Sequence, residues 1–294
     1  MTEEYLKLKD HRLLHYGIFG NPKGVPVIDF HGIPGSYLEA ELIHSYIGRD
    51  DVCLVGFDRP GYGKSSPRLN FQVQDIASDV LELIDHLKIN RFAALGFSGG
   101  GPFALACSCL LPDRVGALGI VSGVGPADTG SDGMHESNRK KFNLAQQLPW
   151  LARIMLWFAF TNLRLHPDDL AGQMEKIWQQ MPEPDRKLLF GDKKFREGIL
   201  KITRDAIQAG VSGWANEEIL MAQPWKFKPQ DTPCPNVYLW HGEKDRNVPV
   251  EMARKLAGQI PGCQAEFFED EGHISILYHQ GSQIINTLVN ALKN

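Results

Sequence analysis

The chain has 294 residues, 43% hydrophobic and 22% charged, with 31 Lys and Arg against 35 Asp and Glu for a net charge of −4. That apolar content excludes intrinsic disorder, and the acidic balance argues against a basic face that binds nucleic acid. No apolar run reaches membrane-spanning length and the first residues carry no secretory apolar stretch, so a cytoplasmic protein without a membrane span is expected.

Alternating apolar residues over 5–8 and 13–19 predict an opening hairpin. Val25–Phe30 and Val52–Phe57 read as buried strands, with helical spacing over 36–47 between them. Residues 73–87 predict an amphipathic helix with Val73, Ile76, Val80, Leu83, Ile84 and Leu87 on one face. Phe92–Phe97 is a short apolar strand, followed by a glycine-rich turn, a helix through Leu111 and the strand Val115–Val121. Short buried strands alternating with helices argue for an α/β fold, a mostly parallel sheet covered by helices on both faces.

From 125 to 235 strand signals vanish. Helices are expected near 137–148, 150–161, 168–180, 192–209 and 215–221, punctuated by prolines at 149, 167, 182, 184 and 224. The stretch 148–160 is apolar nearly all round, and is expected to be buried against the core or to line an acyl pocket rather than to face lipid. A strand over 237–240, a helix over 250–260, a strand over 265–268 and a helix over 274–292 then resume the alternation. The division expected is one α/β core, residues 1–124 and 236–294, with a helical cap, 125–235, inserted in it. Cys53, Cys107, Cys109, Cys234 and Cys263 are scattered and odd in number, and read as reduced thiols. Cys107-Ser-Cys109 is not a metal-ligand spacing, and no metal site is expected.

Gly96-Phe97-Ser98-Gly99-Gly100 is the single G-x-S-x-G match, with a strand before it and a helix after it. A serine in that turn stands at the carboxyl end of the sheet beside a helix N-terminus. Its hydroxyl needs a base, and the base needs an orienting partner. His273 follows the last strand in a loop, whereas His279 falls in the next helix and His241 reads as structural. Asp245 lies just past the preceding strand, and Asp128 is the rival acid after Val115–Val121. The order Ser98, Asp245, His273 is that of the strand–elbow–helix hydrolases. An oxyanion needs two N–H donors: Gly99, next to the serine, and Ile33 in His31-Gly32-Ile33-Pro34-Gly35, where Pro34 has none. Gly61-Tyr62-Gly63-Lys64-Ser65 only partly imitates a phosphate loop, since Asp58 stands where that pattern needs glycine.

These motifs, with Asp58-Arg59-Pro60-Gly61-Tyr62-Gly63-Lys64-Ser65, Val248-Pro249 and Gly272-His273, resemble the α/β-hydrolase fold family over essentially the whole chain. The resemblance implies an eight-stranded sheet, a helical cap over the active site and no cofactor. Ile33 stands where many lipases carry a further glycine. Proline iminopeptidases are similar through a His-Gly-Gly-Pro-Gly run matched at four of five positions, but carry Trp after the serine where this chain has Gly99. Epoxide hydrolases and haloalkane dehalogenases use an aspartate where Ser98 stands, and 125–235 contains no tyrosine.

The expected function is a serine carboxylesterase acting on a small or medium acyl ester, as a monomer or homodimer, with His31, Gly32, Phe97, Trp150 and Trp214 contacting substrate. Alternatives on the same residues are an aminopeptidase of the proline iminopeptidase type, a carbon–carbon bond hydrolase, a lyase or cofactor-free oxygenase, and a ligand receptor with slow turnover.

Overall fold

In the computed structural model, which describes residues 2–166 and 169–293, eight strands form one sheet. They are β1 (Thr2–Lys7), β2 (Leu13–Gly20), β3 (Val25–Phe30), β4 (Val52–Phe57), β5 (Phe92–Phe97), β6 (Val115–Val121), β7 (Val237–Gly242) and β8 (Gln264–Phe268). The spatial order is β1-β2-β4-β3-β5-β6-β7-β8. β2 pairs antiparallel with β1 and β4, and all other neighbours are parallel.

The pleat sorts side chains by parity, as a sheet covered on both faces requires. In β5, Phe92 and Ala94 enter one core while Ala93, Leu95 and Phe97 enter the other. Helix α1 (Leu38–Ile47) packs on the second face, and α2 (Ile76–His86) and α3 (Gly101–Leu110) on the first. Between β6 and β7 come α4 (Glu136–Gln147), α5 (Pro149–Leu165), α6 (Leu170–Trp178), α7 (Glu183–Gly191), α8 (Lys193–Ala206) and α9 (Ser212–Met221). Helix α10 (Val250–Gln259) then joins the first face and α11 (Ser275–Lys293) the second.

Three differences from the sequence reading have physical causes. The helix expected over 73–87 opens as a 3₁₀ turn, Val73–Asp75, because Gln72 and Asp75 form a reciprocal cap there. Helix α7 was hidden by its prolines: Pro184 sits in the first turn, where its missing N–H costs nothing. Helix α5 buries only Ala152, Leu156, Phe160 and Leu163; its other face is exposed, so 148–160 is not enclosed as expected. The expected helix start at Asp168 lies outside the described residues.

Parallel strands send all their carboxyl ends to one edge. The loops that leave β3, β5, β7 and β8 there carry Ile33, Ser98, Asp245 and His273.

Candidate active site

Strand β5 delivers Ser98 into a 3₁₀ turn, Ser98–Gly100, that runs straight into α3. Ser98 has φ 53°, a left-handed conformation that costs a residue with a Cβ about 1–2 kcal/mol. The turn is tight enough that a Cβ on Gly100 would fall on the carbonyl of Phe30. Strain of this kind persists only where the surroundings over-determine it, and it turns the hydroxyl out of the sheet.

Ser98 Oγ donates to His273 Nε2 at 2.9 Å, and His273 Nδ1 donates to Asp245 Oδ2 at 2.7 Å. A carboxylate can only accept, so the proton is on Nδ1 and the Nε2 lone pair faces the serine. The other oxygen of Asp245 accepts from the N–H groups of Asn247 and Val248, at 2.8 and 2.9 Å. His241 Nε2 donates to the Val248 carbonyl and stands 3.3 Å from Asp245 Oδ2. Burial alone would raise the Asp245 carboxyl; facing His273 and His241 outweighs it and holds the group well below the ordinary carboxylate range. Burial likewise pulls His273 down, but the charge and hydrogen bond of Asp245, with Asp185 and Glu39 behind, leave it above the ordinary histidine value.

The loop carrying His273 is fixed from the helical insertion. Asp185, fully buried in the first turn of α7, accepts from the N–H groups of His273, Ile274 and Ser275 at 2.8–2.9 Å. These are donors at the start of α11, left without helical partners, so a carboxylate from elsewhere in the chain caps that helix. A Cβ on Gly272 would collide with it. Ser122 Oγ holds the His273 carbonyl at 3.1 Å.

A buried ion pair aims the loop after β3. Arg59 binds Glu217 of α9 through two contacts of 2.7 Å and also donates to the carbonyls of His31 and Gly32. His31 Nδ1 donates to the same Gly32 oxygen at 2.8 Å. In a planar trans peptide C=O and N–H point opposite ways, so anchoring the Gly32 oxygen turns the Ile33 N–H to the other side. Glu39 accepts the Gly32 N–H at 3.0 Å, and burial pushes its carboxyl up to about 7. Among the described residues no cluster of His, Cys, Asp and Glu is placed to hold a metal ion.

Residues 25–280 match the alpha/beta hydrolase fold family. The chain belongs to that family. It is 34% identical over 111 residues to a probable proline iminopeptidase of Leptolyngbya boryana, a stretch that covers 37% of this chain and 34% of that one. The match therefore spans about a third of the relative's length. Over 295 aligned residues, 99% of this chain and 98% of the other, it is 25% identical to the AB hydrolase superfamily protein YisY of Bacillus subtilis. Among solved structures it superimposes on the bromoperoxidase of Bacillus anthracis with a TM-score of 0.72, at 18% identity over both whole chains.

Two departures noted in the sequence prove to be linked. A Cβ on Gly99 would run into the Ile33 side chain, so Ile33 fills the space beside the serine and requires glycine after it. Of the expected substrate contacts, Phe97 lies beside His273 with ring centroids 5.3 Å apart. Trp214 stacks on Phe160 at 3.6 Å in the cluster that also takes in Ile33 and Tyr62. Gly32 is used through its N–H and carbonyl by Glu39, His31 and Arg59.

The other two expected contacts have different surroundings. His31 is fully buried with its ring nitrogens on Gly32 O and Arg59 N–H, and burial with the Arg59 charge keeps it neutral, a strut of the loop. Trp150 is 63% exposed at the start of α5. Asp128 lies exposed on a 3₁₀ turn, and His279 pairs with Glu271 at 2.9 Å. Sequence reasoning missed Asp185, Glu39 and the Arg59–Glu217 pair. The signal for Asp185 was Pro184 with acids on either side, the composition of a helix first turn.

Proposed function

We propose that the protein is a serine hydrolase of the carboxylesterase type, acting on small to medium acyl esters. Ser98 Oγ attacks the ester carbonyl carbon while His273 Nε2 takes its proton. The carbonyl oxygen becomes an oxyanion between the N–H groups of Gly99 and Ile33. The C–O bond to the alcohol breaks, His273 returns the proton to the leaving oxygen, and an acyl-Ser98 remains. Water, deprotonated by His273, then attacks the acyl carbon and restores the serine. Asp245 holds the productive tautomer and stabilises the imidazolium. Residues 125–235 act as the cap, and the acyl group lies against Ile33, Tyr62 and Trp214. A separate cavity lined by Phe97, Leu42 and Tyr46 is small, about 30 Å³, room for about two waters.

The observation that carries this reading is the unbroken row from Ser98 through His273 to Asp245, with the serine at φ 53° on the elbow. The similarity to a proline iminopeptidase favours a second reading, cleavage of an N-terminal prolyl residue. Such a substrate carries an ammonium that needs a carboxylate partner. Three buried carboxylates around the row are engaged: Glu39 with Gly32, Glu217 with Arg59, Asp185 with three N–H groups. Asp29, fully buried and without a hydrogen-bond partner among the described residues, is pushed well above the ordinary carboxylate range by burial and by Glu39, which disfavours the charge an ammonium would need. The ester reading fits that occupancy better. A p-nitrophenyl ester series of rising acyl length, run beside a prolyl p-nitroanilide, separates the two. Fast, repeated turnover on short esters with little release of nitroaniline is expected; the reverse assigns the aminopeptidase, and stalling on both assigns neither.

A further inference from the structure

Helix α5 has two apolar faces, and one of them has no partner among the described residues. Ala152, Leu156, Phe160 and Leu163 pack inward against the cluster that contains Trp214 and takes in Ile33. Outward, Trp150 is 63% exposed, Ile154 48%, Trp157 46%, Phe158 64% and Leu165 64%. At about 100° per residue these five fall within one arc of about 100°. Trp157 and Phe158 stand edge to face at 5.1 Å, so the stripe is continuous rather than scattered. An apolar patch of this extent marks an interaction surface.

The charges around the stripe select its occupant. Arg153 and Arg164 lie along one edge of the arc, and their hydrogen bonds go to Asn216 and to the carbonyls of Ile207 and Gln208, which neutralise no charge. From 137 to 166 the sequence holds five cations and no acid, in a chain whose net charge is −4. Lys140 and Lys141 pair with Glu136 and Glu218, which leaves Arg139, Arg153 and Arg164 without an acidic partner among the described residues. Tryptophan and phenylalanine beside arginine is the chemistry of a headgroup boundary: rings enter the acyl edge while guanidinium groups stay on phosphates. A second copy fits less well. An antiparallel twofold contact through α5 would set the two arginine edges side by side.

We propose that the outer face of α5 docks on an anionic lipid surface. The helix lies in the plane of the headgroups; among the described residues no helix is long and apolar enough to cross a membrane. Its inner face stays on the cluster beside Ile33, so docking sets one wall of the proposed acyl pocket against the lipid.

Vesicle sedimentation tests this without any turnover. The whole chain is mixed with vesicles of phosphatidylcholine alone and of phosphatidylcholine with phosphatidylserine. Binding is expected to be several-fold tighter on the anionic vesicles and to weaken in high salt. Trp157→Ser/Phe158→Ser, both on exposed positions, should lose at least about tenfold in affinity for both vesicles. Arg153→Gln should lose about fivefold on the anionic vesicles alone. Failure of the unmodified chain to bind either vesicle overturns the proposal. So does unchanged binding by the double variant, which would place the contact elsewhere. A doubled mass in light scattering that Trp157→Ser/Phe158→Ser returns to the single-chain value also overturns it, and gives the face to a second copy.

Discussion

Asp185→Asn separates positioning of the base from mere support of the fold. The carboxylate accepts three N–H groups, from His273, Ile274 and Ser275. An amide offers one oxygen, which can accept two of them, and its NH₂ then faces the third. A buried unsatisfied donor costs about 1–3 kcal/mol, and exchanging an ionised acceptor for a neutral one roughly halves each remaining bond. The variant should thus be less stable by about 2–4 kcal/mol, read as a lower urea midpoint with an unchanged slope. Stability alone decides nothing, so kinetics carry the test. His273 Nε2 now meets Ser98 Oγ at 2.9 Å, and a displacement of about 1 Å costs on the order of 10²-fold in rate. We expect kcat on a short p-nitrophenyl ester to fall about 10–100-fold with KM little changed.

The pH profile gives an independent sign. His273 works as a base only when neutral, so kcat/KM falls as pH drops through its pKa. That pKa is raised despite burial, first by Asp245 and further by Asp185 and Glu39. In the parent enzyme the acid limb should therefore lie above the ordinary histidine value. Removing the Asp185 charge lowers the pKa, so in the variant the limb should move to lower pH. A variant that melts earlier but keeps the parent kcat and acid limb would refute the reasoning, leaving Asp185 a helix cap and nothing more.

Asp245→Asn should cost about 10⁴-fold in kcat by disfavouring the productive tautomer, while Asp128→Asn leaves the rate near the parent's; steady-state kinetics on one ester compare them. Glu217→Ala leaves Arg59 charged and buried without its partner, a loss of about 3–5 kcal/mol, and frees the loop that aims the Ile33 N–H. Its kcat should drop about 10²-fold while KM holds, since an oxyanion donor acts in the transition state. Gly99→Ala drives a methyl into Ile33 and should slow the enzyme about tenfold; adding Ile33→Ala should restore most of that rate, a coupling that a double-mutant cycle measures.

Much of this layout was legible because it is local. Phe92–Phe97 is apolar throughout and runs into Ser98-Gly99-Gly100, so strand, elbow and helix announce themselves within about a dozen residues. Asp245 and His273 each follow a strand end, and parallel topology brings such ends to one edge. The structure places these two and Ser98 in one hydrogen-bonded row. What stayed hidden depends on contacts between distant segments. Asp185 reaches a backbone 88–90 residues away, and Glu217 meets an arginine 158 residues away. In sequence both are acids among polar neighbours, indistinguishable from a solvated helix face until packing buries them. Helix α5 misled for the opposite reason. A segment apolar on all sides has no preferred face, so periodicity alone could not reveal that Trp150, Trp157 and Phe158 point outward.

The central claim, an activated serine at position 98, is tested most directly by a fluorophosphonate probe read out by peptide mass spectrometry. A single stoichiometric adduct on Ser98 is expected, with labelling and ester hydrolysis lost in parallel when the probe is titrated. Ser98→Ala, folded by circular dichroism, should take up no probe and lose on the order of 10⁴–10⁶-fold in kcat. An adduct on another residue, or a Ser98→Ala protein that still hydrolyses the ester near the parent rate, would contradict it.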